Sequence, residues 1–207
     1  MLGYYNYTVI LTYLGMAAGF IGMTRAADGD LKGALFCLMF AGLCDMFDGR
    51  IASTMDRSRS EKLFGIQIDS LSDLICFGAL PAMIVYTCCG GGKFREIVPA
   101  LYLLCALIRL AWFNVDEARR QERETGCRDT FFGLPVTSSA LLLPCVIGIC
   151  SRRHWAVNIA GPAALILMGA AFLIPFRMKK PALPGKLGML LCGSVGMLLL
   201  VTSGGEI

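Results

Sequence analysis

Hydrophobic residues in this chain run in long blocks that short polar segments separate. Blocks of about 18 or more apolar residues are typical of membrane-spanning helices rather than of helices in a soluble core. The blocks predict an all-α, polytopic transmembrane helix bundle with about seven spans (six to eight), built as one membrane domain over residues 1–207. The predicted spans are Tyr5–Thr24, Leu31–Ile51, Phe64–Cys88, Ile97–Phe113, Phe131–Cys150, Trp155–Phe176 and Leu187–Thr202.

Composition supports the same fold class. Hydrophobic residues make up 56% of the chain and charged residues 16%, with a mean hydropathy of +0.65. A soluble domain carries about 25% charged residues, so a separate soluble domain with its own core is excluded. The first apolar block begins near Tyr4 without a preceding cluster of positive charges and without a small-residue cleavage site after it. It is therefore predicted to be a retained span rather than a signal peptide.

The distribution of charge predicts the orientation and excludes one class of partner. The net charge is +4, and no basic arm with interleaved aromatic residues indicates nucleic-acid binding. A positive charge suits a protein beside anionic membrane lipids. One set of loops holds eleven Lys and Arg residues and the other set six, so the first set is predicted to be cytoplasmic, with the N-terminus inside.

The ten cysteines and the single histidine do not indicate a disulfide framework or a zinc site. Nine of the cysteines lie in or beside apolar blocks, where a cysteine behaves as a small hydrophobic residue. No Cys/His spacing is typical of zinc ligands, and His154 lies alone in a short loop.

Four aspartates in the second and third predicted spans are the most informative residues. Asp45 and Asp48 are spaced i, i+3, and Asp69 and Asp73 are spaced i, i+4, so each pair lies on one face of its helix. At about 1.5 Å per residue, the first pair lies roughly 5–9 Å from the cytoplasmic end of its span and the second roughly 8–14 Å from its own. The four carboxylates are therefore predicted to converge just below the cytoplasmic surface.

A divalent metal site explains this clustering better than ion pairs do. An ionised Asp at the centre of a span costs roughly 2.5–3.5 kcal/mol, and four like charges in one pocket repel each other. Nearby cations, Arg50, Arg57, Arg59 and Lys62, offer ion pairs as an alternative. Mg²⁺ and Mn²⁺ prefer carboxylate oxygens, and bound divalent ions suit a pyrophosphate group. Gly49 and Gly65 flank the site, where glycine permits a ligand to approach the backbone or two helices to pack closely.

Residues 45–73 resemble the signature of the CDP-alcohol phosphatidyltransferase family, D-x-x-D-G-x-x-A-R followed by G-x-x-x-D-x-x-x-D. The matching residues are Asp45, Asp48, Gly49, Ala52, Gly65, Asp69 and Asp73. The chain departs from the signature at Ser53, where the family has arginine, and its connecting loop is longer than the common pattern. The resemblance implies that Gly49, Ala52 and Gly65 contact CDP-diacylglycerol. It also implies that Arg57 or Arg59, or alternatively Arg50, replaces the missing arginine.

Two later segments resemble the branch of this family that makes phosphatidylserine. The first runs from Arg109 to Asn114 and continues to Gln121, and the second is Phe131-Phe132-Gly133-Leu134-Pro135. The resemblance makes Arg109 and Asn114 candidates for binding L-serine. Alternatively, Arg109 extends to the interface near a helix end, Asn114 caps the fourth span, and Gly133 to Pro135 form only a turn before the next span.

The resemblance implies transfer of a phosphatidyl group from CDP-diacylglycerol to the hydroxyl of L-serine, with release of CMP, by a homodimer embedded in membrane lipids. Two divalent cations, Mg²⁺ or Mn²⁺, would be held by Asp45, Asp48 and Asp69, with Asp73 as general base and as a possible fourth ligand. Two alternatives remain. One is the same chemistry with glycerol 3-phosphate or inositol phosphate as acceptor. The other is a cation transporter, for which inverted repeats or broken helices would be expected.

Overall fold

The structure is a computed structural model that describes residues 3–88, 94–123, 130–153, 155–179 and 193. The predicted all-α fold is confirmed, and one short pair of strands accompanies the helices. The helices are α1 (Ile10–Ala27), α2 (Leu31–Ala52), α3 (Arg59–Asp73), α4 (Leu80–Cys88), α5 (Phe94–Arg123), α6 (Ser139–Arg152) and α7 (Val157–Leu173). Strand β1 (Thr130–Phe132) pairs antiparallel with β2 (Arg177–Lys179). Turns of 3₁₀-helix precede α1 at Tyr7–Val9 and α6 at Val136–Ser138.

Three helical stretches are long and apolar enough to cross a membrane, namely Tyr7–Ala27, Arg59–Cys88 and Arg95–Arg119. Val136–Arg152 and Val157–Leu173 are shorter apolar helices. Helix α2 has the length of a span but carries several charged residues. These elements correspond to the first six predicted spans and make the chain an integral membrane protein. The seventh, Leu187–Thr202, lies outside the described residues except for Gly193.

The helices differ from the predicted spans where hydropathy is a poor guide to the backbone. Helix α5 continues ten residues past Phe113, because the polar segment after it is rich in good helix formers such as Glu, Ala and Arg. Helix α6 begins at Ser139 rather than at Phe131, because the segment in between forms β1 and a turn. The left-handed backbone at Gly133, with φ of 72°, and Pro135 both interrupt a helix at this point.

Small residues bring α1 close to its neighbours. A Cβ atom at Gly22 would lie 2.9 Å from the Cβ atom of Cys37 on α2, and one at Gly19 would lie 2.8 Å from Sγ of Cys76. Larger side chains at these positions would force the helices apart. Close approach between backbones is how helices associate in a bilayer, where the hydrophobic effect does not drive them together.

Helices α3 and α4 form one continuous rod that a π-helical segment, Leu74–Ala79, interrupts. Pro81 explains the interruption. It has no N–H to donate to the carbonyl of Phe77, four residues earlier, and in a regular helix its ring would collide with that carbonyl. Two hydroxyls from other helices donate to this carbonyl instead. The Tyr102 hydroxyl lies 2.7 Å from it and the Ser139 hydroxyl 3.3 Å from it, which joins α5 and α6 to the rod.

The loop between α2 and α3 is held in place from both sides. Ser58 and Glu61 form a reciprocal capping box that starts α3, with the Ser58 N–H 2.8 Å from the Glu61 carboxylate. The N-terminal segment lies across the same loop. Its Tyr7 hydroxyl is 3.1 Å from that of Thr54, Asn6 donates to Glu61 over 3.4 Å, and the ring of Tyr4 packs edge-on against Phe64.

Candidate active site

The acidic side chains of α2 and α3 meet in one pocket, as the spacing of the four aspartates predicts. Carboxylate oxygens of Asp45, Asp48 and Asp69 lie within 4.8 Å of one another. Asp73, one turn further along α3, lines the same pocket but lies outside that group of three. All four side chains are partly buried. The geometry therefore distinguishes three converging carboxylates from a fourth that faces the same space.

This donor set fits a divalent cation. The ligand atoms are all carboxylate oxygens, which Mg²⁺ and Mn²⁺ prefer. No described arginine or lysine forms a salt bridge with any of the four aspartates, whereas Arg25 does pair with Asp30 at the turn between α1 and α2. The alternative of a structural cluster of ion pairs therefore lacks the contacts it requires. A cluster of like charges without paired cations is an arrangement that bound metal stabilises.

Helix α1 supplies the third wall of the pocket, which the sequence analysis did not anticipate. The Thr12 hydroxyl donates to the Asp48 carboxylate at 3.3 Å, and Gly15 also lines the pocket. Ser72 and Cys76, which lie on the α3–α4 rod, donate to the carbonyls of Thr12 and Gly15 at 3.4 and 3.2 Å. The available sequence signal was the helical spacing of small residues along α1, which indicates a close-packed face.

The two signature glycines differ in their surroundings. Gly49 is exposed, and a Cβ atom there would have no described atom within 4 Å, so its backbone is open on the side of the missing Cβ. A Cβ atom at Gly65 would lie 3.1 Å from Nη1 of Arg57. Ala52 is the last residue of α2 and is partly buried. The guanidinium of Arg57 therefore approaches the backbone at Gly65.

The position of the missing family arginine is exposed. Ser53 is the residue after the end of α2, and its hydroxyl donates to the carbonyl of Arg50 at 2.6 Å. The side chains of Arg50 and Arg59 are exposed, whereas that of Arg57 is partly buried. Of the three candidate replacements, Arg57 is the one that packs against the signature.

The two later segments that resemble the phosphatidylserine branch lie against each other. Arg109 is 6% exposed and donates from Nε to the carbonyl of Leu134 at 3.3 Å, while its guanidinium lies 5.6 Å from the ring centre of Trp112. A Cβ atom at Gly133 would lie 3.0 Å from the carbonyl oxygen of Ile174, which explains the glycine. Arg109 is not among the described residues that line the acidic pocket, so its role in binding serine stays a prediction.

Asn114 contacts a residue next to one of the acidic residues. Ser70, next to Asp69, donates to the side-chain carbonyl of Asn114 at 3.0 Å and so links α3 to α5. The possibility that Asn114 caps a helix is wrong, because α5 continues to Arg123. Its binding of serine stays a prediction, while its contact with Ser70 explains why an amide is useful at this position.

The fold and the site together define a polytopic membrane protein with a pocket of acidic residues shared by three helices. Comparison with known sequences agrees with this class, since the CDP-alcohol phosphatidyltransferase family matches residues 5–202. The chain belongs to that family.

Three curated relatives indicate which part of the family is most similar. An archaetidylserine synthase of Methanothermobacter thermautotrophicus is 33% identical over 135 residues, which are 65% of this chain and 54% of the relative. A CDP-diacylglycerol–serine O-phosphatidyltransferase of Saccharomyces cerevisiae is 40% identical over 115 residues, 54% of this chain and 40% of the relative. A CDP-diacylglycerol–serine O-phosphatidyltransferase of Helicobacter pylori is 27% identical over 153 residues, which are 73% of this chain and 61% of the relative. The chain thus spans about half the length of the curated relatives it matches.

Proposed function

We propose that this protein transfers a phosphatidyl group from CDP-diacylglycerol to the hydroxyl of L-serine and releases CMP. The convergence of Asp45, Asp48 and Asp69 within 4.8 Å carries the proposal, because three carboxylates at one point suit the metal-bound diphosphate of a nucleotide-activated lipid. The choice of serine is supported by the names of the relatives, which refer to serine as acceptor or to a serine-containing lipid.

In this mechanism the three converging carboxylates would hold two Mg²⁺ or Mn²⁺ ions, which would neutralise phosphate oxygens and stabilise the leaving group. Asp73 accepts the proton of the serine hydroxyl. The serine oxygen forms a bond to the β-phosphorus while the bond from that phosphorus to the bridging oxygen breaks, and CMP leaves with the electron pair. The transfer is direct, because Ser70 and Ser72 beside the acids hydrogen-bond to Asn114 and to a backbone carbonyl rather than to a base that would activate them.

The other protein groups bind and orient the two substrates. Thr12 donates to Asp48 and fixes the orientation of that carboxylate. The open backbone at Gly49 leaves room for the donor, and a cation of the α2–α3 loop, Arg57 or Arg59, contacts its phosphates. Arg109 and Asn114 are the proposed contacts of serine, for whose carboxylate a guanidinium is a suitable partner.

The site lies on the cytoplasmic side of the membrane in this proposal. The α2–α3 loop belongs to the set of loops richer in Lys and Arg, which favours the cytoplasm. The exposed apolar side chains Phe40, Leu43 and Phe47 lie along α2 beside the acidic residues, in a position to contact lipid. A polar pocket beside such a surface admits CDP and serine from water while the acyl chains of the donor stay in the bilayer. A homodimer is proposed from the family alone.

The experiment is a panel of acceptors. Purified full-length protein in detergent is incubated with CDP-diacylglycerol and Mn²⁺ or Mg²⁺, and with L-serine, glycerol 3-phosphate or inositol phosphate in turn. CMP release and the lipid product are followed by chromatography and mass spectrometry. Serine is expected to stimulate CMP release and to appear in the lipid, and Asp48→Asn is the inactive control. Stimulation by glycerol 3-phosphate and not by serine would assign the protein to another acceptor.

A further inference from the structure

The side chain of Arg57 has an unusual environment for a loop arginine. It folds back over α3, so that a Cβ atom at Gly65 would lie 3.1 Å from its Nη1. Its Nε is buried and has no hydrogen-bond partner among the described residues. A buried N–H without a partner costs free energy that a bound acceptor would recover. The arrangement is therefore that of a donor group prepared for a ligand.

The guanidinium of Arg57 also forms no salt bridge with a described carboxylate, although Glu61 lies near enough to interact with it electrostatically. No described carboxylate lies within 4.0 Å of the Arg57 nitrogens, so the pairing of Arg25 with Asp30 has no counterpart at this arginine. Gly65 precedes Asp69 by one helical turn on the same face of α3, and such residues are about 5–6 Å apart. The guanidinium thus lies beside Gly65, one helical turn from Asp69, which lines the acidic pocket.

Arg57 is held there by the surrounding structure. The capping box of Ser58 and Glu61 fixes the backbone immediately after it. The contact of the Tyr7 hydroxyl with Thr54 holds the loop three residues before it. A side chain that is already positioned loses less conformational freedom when a ligand binds.

We propose that Arg57 binds the diphosphate of the nucleotide-activated lipid and takes the place of the arginine that would follow Ala52. Gly65 is glycine so that this guanidinium fits against α3. The identity of the anion as a lipid-linked diphosphate rests on the proposed function, whereas the anion site itself rests on Arg57 and its surroundings. Arg59 is exposed and does not share these contacts.

The test measures donor binding in variants of the full-length protein. Arg57→Ala is expected to raise the KM for CDP-diacylglycerol roughly 10- to 100-fold, the loss expected when a hydrogen bond to a charged group is removed, and to leave the KM for serine unchanged. Arg57→Lys keeps the charge but not the planar fork, so it recovers only part of the affinity. Lys62→Ala, an exposed cation on the first turn of α3, is the matched control and keeps the wild-type KM.

A second variant tests the role assigned to Gly65. Gly65→Ala adds a methyl group 3.1 Å from Nη1 and displaces the guanidinium by a few tenths of an ångström. Because alanine favours a helix over glycine, thermal stability is expected to be unchanged or higher, while the KM for the donor rises. The double variant Arg57→Ala/Gly65→Ala is expected to have the donor KM of Arg57→Ala alone, because the group that Gly65 accommodates is then absent.

Binding of inorganic pyrophosphate in the presence of Mn²⁺, measured by titration calorimetry, separates this proposal from the proposed function. If pyrophosphate binding depends on Arg57 but the wild type releases no CMP, the anion site stands and the proposed function fails. If CMP is released but Arg57→Ala changes neither the donor KM nor pyrophosphate affinity, the role of Arg57 is refuted and the function stands. A donor KM that is raised in Arg59→Ala and not in Arg57→Ala would also refute the role of Arg57. Absence of both activities from the wild type would reject both proposals.

Discussion

Removal of the two hydroxyls that bind the Phe77 carbonyl is predicted to destabilise the protein more than additively. Pro81 deprives this carbonyl of its helical donor, and the hydroxyls of Tyr102 and Ser139 replace it at 2.7 and 3.3 Å. Both side chains are almost fully buried, with 2% and 0% exposure. Water therefore does not replace a hydroxyl that is removed.

The magnitude follows from what each variant leaves behind. Tyr102→Phe removes the shorter bond and is expected to cost about 1 kcal/mol, and Ser139→Ala removes the longer one and costs about 0.5 kcal/mol, because the carbonyl keeps one donor in each case. Hydrogen bonds between membrane helices contribute about 0.6 kcal/mol on average, at the low end of the range for proteins. The double variant leaves a buried carbonyl without either hydroxyl, which adds about 1–3 kcal/mol to the sum of the single effects.

Thermal unfolding in detergent with a thiol-reactive dye measures this effect. The free thiols of Cys44, Cys76 and Cys150 are buried, so they report unfolding when they become reactive. Each kcal/mol lowers Tm by about 2–4 °C for a chain of this size. Tyr13→Phe, which removes a tyrosine hydroxyl from α1, serves as the control.

An additive double variant would refute the reasoning, because it would mean that the Phe77 carbonyl finds another donor. Pro81→Ala offers a further check. It restores an N–H four residues after Phe77 and is expected to recover part of the stability of the double variant.

Three further predictions concern the pocket and the turn beside α6. Asp45→Asn, Asp48→Asn and Asp69→Asn should each nearly abolish CMP release and weaken Mn²⁺ binding measured by electron paramagnetic resonance, and full activity of the wild type in EDTA would contradict the metal site. Asp73→Asn should lower turnover roughly 10²- to 10⁴-fold while donor binding is kept, and a loss of donor binding as large as in Asp45→Asn would make Asp73 chiefly a ligand. Gly133→Ala should lower Tm, because φ is 72° and the new methyl group meets the Ile174 carbonyl at 3.0 Å; an unchanged Tm would show that the turn adjusts freely.

The acidic pocket could be predicted from the sequence because it depends on regular helical geometry. The i, i+3 spacing of Asp45 and Asp48 and the i, i+4 spacing of Asp69 and Asp73 fix the faces of two adjacent helices, whatever the details of packing. The number of residues between a charged loop and each pair then fixes their depth. The structure confirms that these carboxylates share one pocket, and carboxylate oxygens of three of them converge.

The features that the sequence did not reveal depend on contacts between distant residues. The contribution of Thr12 to the pocket requires knowledge of which face of α1 meets α2 and α3. Hydropathy does not reveal that face, because every side of a span is apolar. The choice between Arg57 and Arg59 depends on the direction of two side chains in one loop. The π-helical segment was signalled by Pro81, but its hydroxyl partners at Tyr102 and Ser139 are distant in sequence.

The charged residues of α2 have a consequence for how the protein is made. An isolated helix carrying Asp45 and Asp48 inserts poorly, since each ionised aspartate opposes transfer from the translocon into lipid. A short turn connects α1 to α2. In this turn Asp30 caps the N-terminus of α2 and pairs with Arg25 at 2.9 Å. The two helices are therefore suited to enter the bilayer as a hairpin, in which α1 shields one side of the acidic face. The acidic face is enclosed only once α3 has been synthesised, so the acidic pocket and the topology of the nascent chain are expected to be completed by the same event.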